Sequence, residues 1–173
     1  VQEKLNAADN RRLPDLGLNI PYGSYSPKNL LLDMPPFEIP LHERRLIVPE
    51  LTVAARDRIA LTGGNGAGKS MLLRRIVPEL KLSPEEVLYM PQELDAGMTE
   101  AIRGTLLHLP KDGYSRVMNV VASLGSVPER VLDAENCSPG EWRKLFFGLG
   151  VLREIRLIVM DEPTNHLDLS SIE

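Results

Sequence analysis

The sequence contains one cysteine, Cys137, among its 173 residues. A disulfide within the chain is therefore excluded, a thiolate zinc site is disfavoured, and a reducing, cytoplasmic setting is expected. No apolar run approaches the roughly 20 residues that a membrane-spanning helix needs. The opening residues, VQEKLNAADNRR, lack the apolar segment of a signal peptide. These absences predict a soluble protein that reaches a membrane only through a partner.

The sequence also has no large excess of either charge. There are 24 acidic and 20 basic residues, so the net charge is -4 and the isoelectric point is about 5.5. Such a balance gives no electrostatic argument for nucleic-acid binding, although a local basic patch is still compatible with it. The apolar fraction of 43% and the length fit one globular domain with a buried core.

The first third of the sequence predicts a linker and an antiparallel sheet. Residues 1–16 are polar and compatible with a helix, so they are either the tail of a linker helix or a frayed terminus. Residues 17–56 contain short apolar runs, as in LLLDMPPFEIP and RRLIVPELTV, separated by Pro, Gly and Ser. Short runs between turn residues are typical of antiparallel strands with tight connections.

Residues 57–94 follow a strand, loop, helix and strand pattern. Residues 59–61 predict a short buried strand, and a glycine-rich loop then leads into a helix that Pro78 limits. The stretch EVLYMPQ, residues 86–92, predicts a second strand that ends in a polar loop. This alternation is typical of an α/β fold.

Residues 95–153 change to helical periodicity. Apolar side chains recur three and four positions apart from Ile102 onward, and Gly and Pro divide them into short helices. The last of these helices has Ser138 as a suitable N-cap, with Glu141 three residues on. Residues 154–173 then begin with a predicted buried strand that ends in acids, RLIVMDEP.

The strongest functional signal is GGNGAGKS, residues 63–70, which matches G-x-x-x-x-G-K-[ST] between a predicted strand and a predicted helix. Its glycines let backbone N–H groups wrap phosphate oxygens, and the helix N-terminus adds partial positive charge. Lys69 is expected to reach the β- and γ-phosphates of ATP, and Ser70 is expected to ligate Mg²⁺. The predicted nucleotide-binding residues of this loop are Gly63, Gly64, Asn65, Gly66, Ala67, Gly68, Lys69, Ser70 and Met71.

Two further patterns supply candidate catalytic side chains. In LIVMDE, four apolar residues precede Asp161, which describes a strand that delivers a carboxylate to the ligand-binding edge of a sheet. Asp161 would hold the Mg²⁺, and Glu162 would polarise the attacking water as general base. Gln92, at the end of the strand before, can touch the metal or the water, although alone it reads as a solvated loop residue.

Two more motifs, CSPGE at residues 137–141 and EPTNHLD at residues 162–168, carry a family resemblance. With GGNGAGKS, Gln92 and RLIVMDE, they resemble the ATP-binding cassette (ABC) ATPases, and within these the ABC-F proteins, over nearly the whole chain. CSPGE falls at the signature motif, which usually reads LSGGQ or LSGGE. PTNHLD is similar to the loop after the magnesium strand, where transporter cassettes more often have other residues at Asn165 and His166.

The resemblance implies a P-loop NTPase fold with four parts. Residues 17–56 would form an antiparallel β subdomain, and residues 57–94 the P-loop core. Residues 95–153 would form a small helical subdomain with the signature helix, and residues 154–173 the magnesium strand and the D-loop.

The resemblance also implies a head-to-tail pair with a second cassette, in the same chain or in another copy. Ser138 and Gly140 would bind the γ-phosphate of ATP held by the partner cassette, and Asp168 would lie at the interface. In ABC-F proteins the closure of this pair on ATP is coupled to ribosome binding. Residues 1–16 would then be an interdomain linker, which makes this the second cassette.

Three departures from the family pattern are visible. Pro139 replaces the first signature glycine and removes one N–H donor, but proline is well tolerated at the first helical position. An aromatic residue that stacks on adenine is absent near Pro40 and Leu41, with Phe37 the nearest candidate, so the adenine contact is unassigned. The switch histidine is absent, because His166 belongs to the interface loop.

The resemblance further implies a missing strand between the P-loop strand and the Asp161 strand. We therefore expect a fragment of a longer protein, truncated after the D-loop, with a slot in its sheet that is open, filled by another chain or closed by rearrangement.

Two other functions remain open. An ATPase subunit of a membrane transporter would use the same chemistry and a transmembrane partner. A module that binds nucleotide without hydrolysing it fits the isolated fragment. The biological role, whether translation or antibiotic resistance, is not decided by these motifs.

Overall fold

The computed structural model describes residues 29–42, 44–126 and 137–162. The linker-helix prediction for residues 1–16 and the interface prediction for Asp168 lie outside the described residues. The described elements, in chain order, are β1 (Leu30–Met34), β2 (Phe37–Leu41), β3 (Arg44–Val48), β4 (Leu51–Ala54), α1 (Lys69–Ile76), β5 (Val87–Met90), α2 (Ala96–His108), α3 (Lys111–Ser123), α4 (Pro139–Gly150) and β6 (Leu157–Met160).

The first four strands form two antiparallel pairs, as the turn-rich sequence predicts. β1 pairs with β4, and Leu32 lies opposite Val53. β2 and β3 form a hairpin in which Phe37 lies opposite Val48. The register of the β1–β4 pair shifts between Leu30 and Leu32, and Leu31 and Leu32 are both buried in an apolar cluster that also contacts Ile76 at the end of α1. The buried residues of this cluster are Leu31, Leu32, Met34 and Val53.

β5 and β6 form a parallel pair, and both strands lie where the sequence predicts them. Val87 lies opposite Leu157, and Met90 lies opposite Met160. A capping box at Ser83 and Glu86 starts the short 3₁₀ turn that leads into β5. The N–H of Arg156 donates to the carbonyl of Glu86 at 2.8 Å, which extends the pairing at the amino end.

Helices α2, α3 and α4 pack on one another around Ile102, Val117, Val121 and Leu145. α4 also packs on β5, where Leu88 and Met90 bury their side chains against Phe147. Burial of each such side chain contributes about 1.5–3 kcal/mol, so this contact is a major source of stability for the strand that carries Gln92. The close approach of α4 to β5 depends on a small residue in α4, Gly150.

A Cβ atom at Gly150 would lie 2.6 Å from Cδ1 of Leu88 and 2.7 Å from its Cδ2. Leu88 is 1% exposed, so it has no room to move away. Gly150 therefore sets the distance between α4 and β5.

The prediction of a buried strand at residues 59–61 is wrong. These residues have no strand partner among the described residues, and Ile59 and Leu61 are 56% and 40% exposed. A strand requires a neighbour that accepts and donates its backbone hydrogen bonds, and none of the described strands lies beside this segment. For the same reason β6 is half-buried rather than buried, since its only described neighbour is β5.

No helix among the described residues is long and apolar enough to cross a membrane.

We predict opposite effects for two Gly→Ala substitutions in helices. Gly150→Ala should destabilise the domain by about 1–3 kcal/mol, because the added methyl group overlaps Leu88. Gly104→Ala in α2 should stabilise it by about 0.5–1 kcal/mol, because nothing lies within 4 Å of the added Cβ. Urea unfolding of both variants measures the difference. Equal stability of the two variants would contradict the packing described for α4 and β5.

Candidate nucleotide-binding site

The glycine-rich segment forms a compact loop that ends at the first turn of α1. Gly63, Gly66 and Gly68 have φ angles of 148°, 72° and 100°, which side chains other than glycine rarely adopt. Gly68 is the N-cap residue of α1, and the N–H of Leu72 donates to its carbonyl at 2.9 Å. The loop thus has the backbone conformation from which successive N–H groups can face an anion at a helix N-terminus.

Lys69 lies at the first position of α1, and its side chain folds back over the loop. Its Nζ donates to the carbonyl of Gly63 at 2.9 Å and to the carbonyl of Gly64 at 3.1 Å. The ammonium group is thereby held over the concave side of the loop, the position expected of a lysine that binds the phosphates of ATP.

The β2–β3 hairpin supports the loop from behind, which the sequence did not indicate. A Cβ at Gly68 would lie 3.1 Å from Cδ1 of Leu41 and 3.2 Å from Cδ2 of Leu46. Nη2 of Arg44 donates to the carbonyl of Gly66 at 2.7 Å. Phe37, the nearest aromatic candidate for an adenine contact, instead packs in the β1–β4 cluster, with the guanidinium of Arg75 5.7 Å above its ring.

Ser70 and Asp161 meet across the site although they are far apart in sequence. Oγ of Ser70 donates to Oδ1 of Asp161 at 2.9 Å. Asp161 is 2% exposed, and its Oδ2 is buried without a hydrogen-bond partner. A buried carboxylate oxygen that lacks a donor is costly, and a hydroxyl with a carboxylate forms the oxygen ligand set that Mg²⁺ prefers. The residues present therefore fit a magnesium ion.

Asp161 is held at this point by the strand pair. Its N–H donates to the carbonyl of Met90 at 2.9 Å, which continues the β5–β6 pairing one residue beyond the strands. Gln92 follows Met90 by two residues and is exposed at the same edge. The carboxyl ends of two parallel strands thus bring a carboxylate and an amide to one place.

Glu162 has a φ angle of 52°, the left-handed conformation that non-glycine residues seldom adopt. Such a conformation costs about 1–3 kcal/mol and persists where the surrounding structure demands it. Glu162 lines the same cleft as Asp161.

Most of the predicted nucleotide-binding residues line a cleft of about 2200 Å³, although Gly63 and Gly64 do not. Its walls also include the segment from Arg56 to Leu61 and the whole of β6. The predicted residues that the structure brings together here are Asn65, Gly66, Ala67, Gly68, Lys69, Ser70, Met71, Gln92, Asp161 and Glu162. Within the described ranges, Ser138 and Gly140 do not line this cleft.

Ser138 and Gly140 lie at the N-terminus of α4. Oγ of Ser138 accepts from the N–H of Glu141 at 3.3 Å, while Oε2 of Glu141 accepts from the N–H of Ser138 at 2.8 Å. This capping box is the one that the sequence predicts. Pro139 occupies the first helical position, where its missing N–H is not needed.

Arg143 is a buried residue of the site that the sequence analysis missed. It is 1% exposed, and its Nη1 donates to the carbonyls of Pro91, at 2.5 Å, and Gln92. Burial lowers the pKa of the Arg143 guanidinium, while the negative charges of Asp161 and Glu162 oppose that shift. A usable signal existed, because helical spacing places Arg143 on the same face as Phe147 and Gly150, the face that packs on β5.

The sequence model of a family described as ABC transporter matches residues 48–165. The chain belongs to this family. The chain is an ATP-binding ABC domain with a P-loop NTPase fold. The described mixture of helices, small antiparallel pairs and a parallel pair agrees with that fold.

Curated relatives of this ABC domain include proteins of different kinds. It is 28% identical to the ATP-binding protein Uup of Buchnera aphidicola over 70% of this chain and 23% of the relative. It is 30% identical to ABC transporter F family member 2 of Dictyostelium discoideum over 72% of this chain and 23% of the relative. It is 30% identical to the zinc import ATP-binding protein ZnuC of Pseudomonas putida over 69% of this chain and 51% of the relative.

The ABC domain thus spans between about a quarter and about half of the length of these curated relatives. No solved structure matches the chain.

We predict that Ser70→Ala weakens the magnesium dependence of ATP binding. Loss of Oγ removes one proposed metal ligand and leaves Oδ1 of Asp161 without its donor, so the tightening of ATP binding by Mg²⁺ should fall by about tenfold or more. Calorimetric titration of ATP with and without Mg²⁺ measures the effect. Ser123→Ala in α3 is the matched control, because it makes the same substitution at a serine that does not line the cleft and whose Oγ donates only to the carbonyl of Asn119. An unchanged magnesium effect in Ser70→Ala would remove Ser70 from the metal site.

Proposed function

We propose that this domain binds Mg-ATP in the cleft and hydrolyses it as one of two cassettes of an ABC-F type protein whose closure is coupled to ribosome binding. The observation that carries the proposal is the meeting of three chain segments at one cleft. Residues 65–71, Gln92 and residues 161–162 line it together, and Ser70 hydrogen-bonds to Asp161.

The phosphates of ATP would lie on the loop N–H groups at the start of α1. Nζ of Lys69 already lies over the loop, where it donates to the carbonyls of Gly63 and Gly64. It would exchange these two contacts for the β- and γ-phosphates. Ser70 and Asp161 would hold Mg²⁺, which neutralises charge that develops on the phosphate oxygens. Oδ2 of Asp161 supports this role, because it is buried and accepts no hydrogen bond from the described residues.

Glu162 would act as general base toward the attacking water. It follows Asp161, the proposed metal ligand, directly in the sequence. Its backbone is in the left-handed conformation, and it lines the cleft. Gln92 would contact the metal or the water from the adjacent strand end. Its exposure in the cleft supports that role.

Ser138 and Gly140 would bind ATP held by the second cassette. Both lie at a capped helix N-terminus, which favours anions, and neither lines the cleft of its own domain among the described residues. Asp168 is proposed for the interface on sequence grounds alone.

The cleft also supports the proposal that a further strand belongs beside β6. The unpaired segment at residues 59–61 and the half-buried β6 both face the cleft. An extended segment between them would satisfy two rows of backbone groups and cover Ile59 and Leu61. Residues 1–16 would then be the linker from the first cassette.

A membrane-transporter ATPase is the second candidate, and the similarity to the zinc import protein ZnuC favours it. The ABC-F reading draws support from PTNHLD and from similarity to the F family member of Dictyostelium. It also draws support from elongation factor 3 of Pneumocystis carinii, which is 35% identical over 66% of this chain and 12% of the relative. A module that binds ATP without hydrolysis is proposed only for the domain in isolation.

We predict that Glu162→Gln in the full natural protein lowers ATP hydrolysis by about 100-fold or more and leaves Mg-ATP affinity within about twofold. The amide keeps the shape of the side chain and cannot accept the water proton. Phosphate release and calorimetry measure the two quantities. Glu154→Gln, an exposed acid before β6, makes the same charge change and should leave both unchanged.

Co-sedimentation of the Glu162→Gln protein with ribosomes, with and without Mg-ATP, separates the two candidate functions. ATP-dependent co-sedimentation is expected for the ABC-F type. Normal ATP binding without ribosome binding would favour the transporter type and direct attention to membrane partners.

A further inference from the structure

Arg143 is a charged residue buried between α4, the end of β5 and the proposed catalytic acids. It is 1% exposed. A guanidinium group removed from water is retained at high cost unless hydrogen bonds and opposite charges compensate. The identity of its partners therefore indicates what the residue does.

The partners of Arg143 are backbone groups of the segment that carries Gln92. One nitrogen, Nη1, donates to the carbonyls of both Pro91 and Gln92. Two carbonyls on one donor fix the orientation of the intervening peptide unit, and with it the direction in which the Gln92 side chain leaves the backbone. Nothing comparable links α4 to the segment that carries Lys69 in the described residues.

The negative charges of Asp161 and Glu162 act on the guanidinium of Arg143 and favour its charged form. Its Nε and Nη2 are buried without a hydrogen-bond partner among the described residues, as is Oδ2 of Asp161. An apolar side chain of similar size would fill the same space without this unsatisfied donor set. Packing alone therefore does not require a charged side chain at Arg143.

We propose that Arg143 is a positioning residue that holds the Pro91–Gln92 backbone so that the Gln92 side chain lies in the cleft in its reactive position. The inference rests on the proposed ATP hydrolysis. It also deepens that function, because the helix whose N-terminus would face the partner cassette then sets the geometry of this cassette's own catalytic loop. Arg143 acts through Gln92 and touches neither ATP nor water.

Lys144 offers a matched control on the same helix. It is 6% exposed, and its Nζ donates to Oγ of Ser126 at 3.0 Å. It thus has the same burial and charge as Arg143 but bonds to the α3 side of the helix, away from Pro91 and Gln92. Any loss that follows from removing a buried cation from α4 should be common to the two residues.

The first test compares Arg143→Met, Arg143→Lys and Lys144→Met in the full natural protein. Arg143→Met should lower kcat for ATP hydrolysis by about tenfold or more and change Mg-ATP affinity by less than about threefold, because misplacement of a catalytic group affects the reaction rather than binding. Arg143→Lys keeps the charge with a single donor point and should recover part of kcat. Lys144→Met should leave kcat within about threefold of the unchanged protein.

A double-mutant cycle tests whether Arg143 acts through Gln92. Adding Arg143→Met to Gln92→Ala should lower kcat by less than about threefold further, since the side chain to be positioned is already gone. Full additivity of the two losses would overturn the proposal, as would equal losses in Arg143→Met and Lys144→Met.

Hydrogen exchange gives a readout that does not depend on hydrolysis. Amides of residues 92–95 should exchange faster in Arg143→Met, and in Arg143→Lys to a smaller extent, but not in Lys144→Met. If the unchanged protein does not hydrolyse ATP, the proposed function fails, while exchange still decides whether Arg143 holds this segment. Unchanged exchange in both Arg143 variants would overturn the positioning role.

Discussion

The parallel pairing of β5 with β6 is the constraint on which the rest of the site depends. Because the pairing continues through the N–H of Asp161 and the carbonyl of Met90, both strands end at one edge. Gln92 and Glu162 follow these ends by one or two residues and so enter the same cleft. The Ser70–Asp161 hydrogen bond then joins this edge to the loop at the start of α1.

The helices act on that edge from the other side. α4 approaches β5 closely at Gly150 and buries Leu88 and Phe147 in the contact. Arg143 extends from the same face to the carbonyls beyond β5. The hydrogen bonds of Arg143 thus connect the helix whose N-terminus contains Ser138 and Gly140 to the segment that carries Gln92. In the proposed pairing with a partner cassette, this connection would join the surface at Ser138 and Gly140 to the cleft of this domain.

The cleft and the relatives together define how far the function is established. ATP binding follows from membership of the ABC family, whose model covers residues 48–165. The relatives include both F family and zinc import proteins. The process to which ATP hydrolysis is coupled, ribosome binding or transport, therefore belongs to the proposal. The proposed chemistry of the cleft is common to both, because it would depend on the loop, the proposed magnesium ligands and Glu162 rather than on the partner.

The sequence by itself determined the phosphate loop, the helix limits around Ser138 and Pro78, and the strands of residues 87–90 and 157–160. These features depend on local causes: glycine conformational freedom, capping, proline geometry and apolar periodicity. The tertiary structure alone decided that Arg143 donates to the carbonyls of Pro91 and Gln92, that Arg44 and Leu41 support the glycine-rich loop, and that residues 59–61 form no strand. Each of these depends on which segments are neighbours in space, because a buried charge, a close contact or a strand exists only through a partner distant in the sequence.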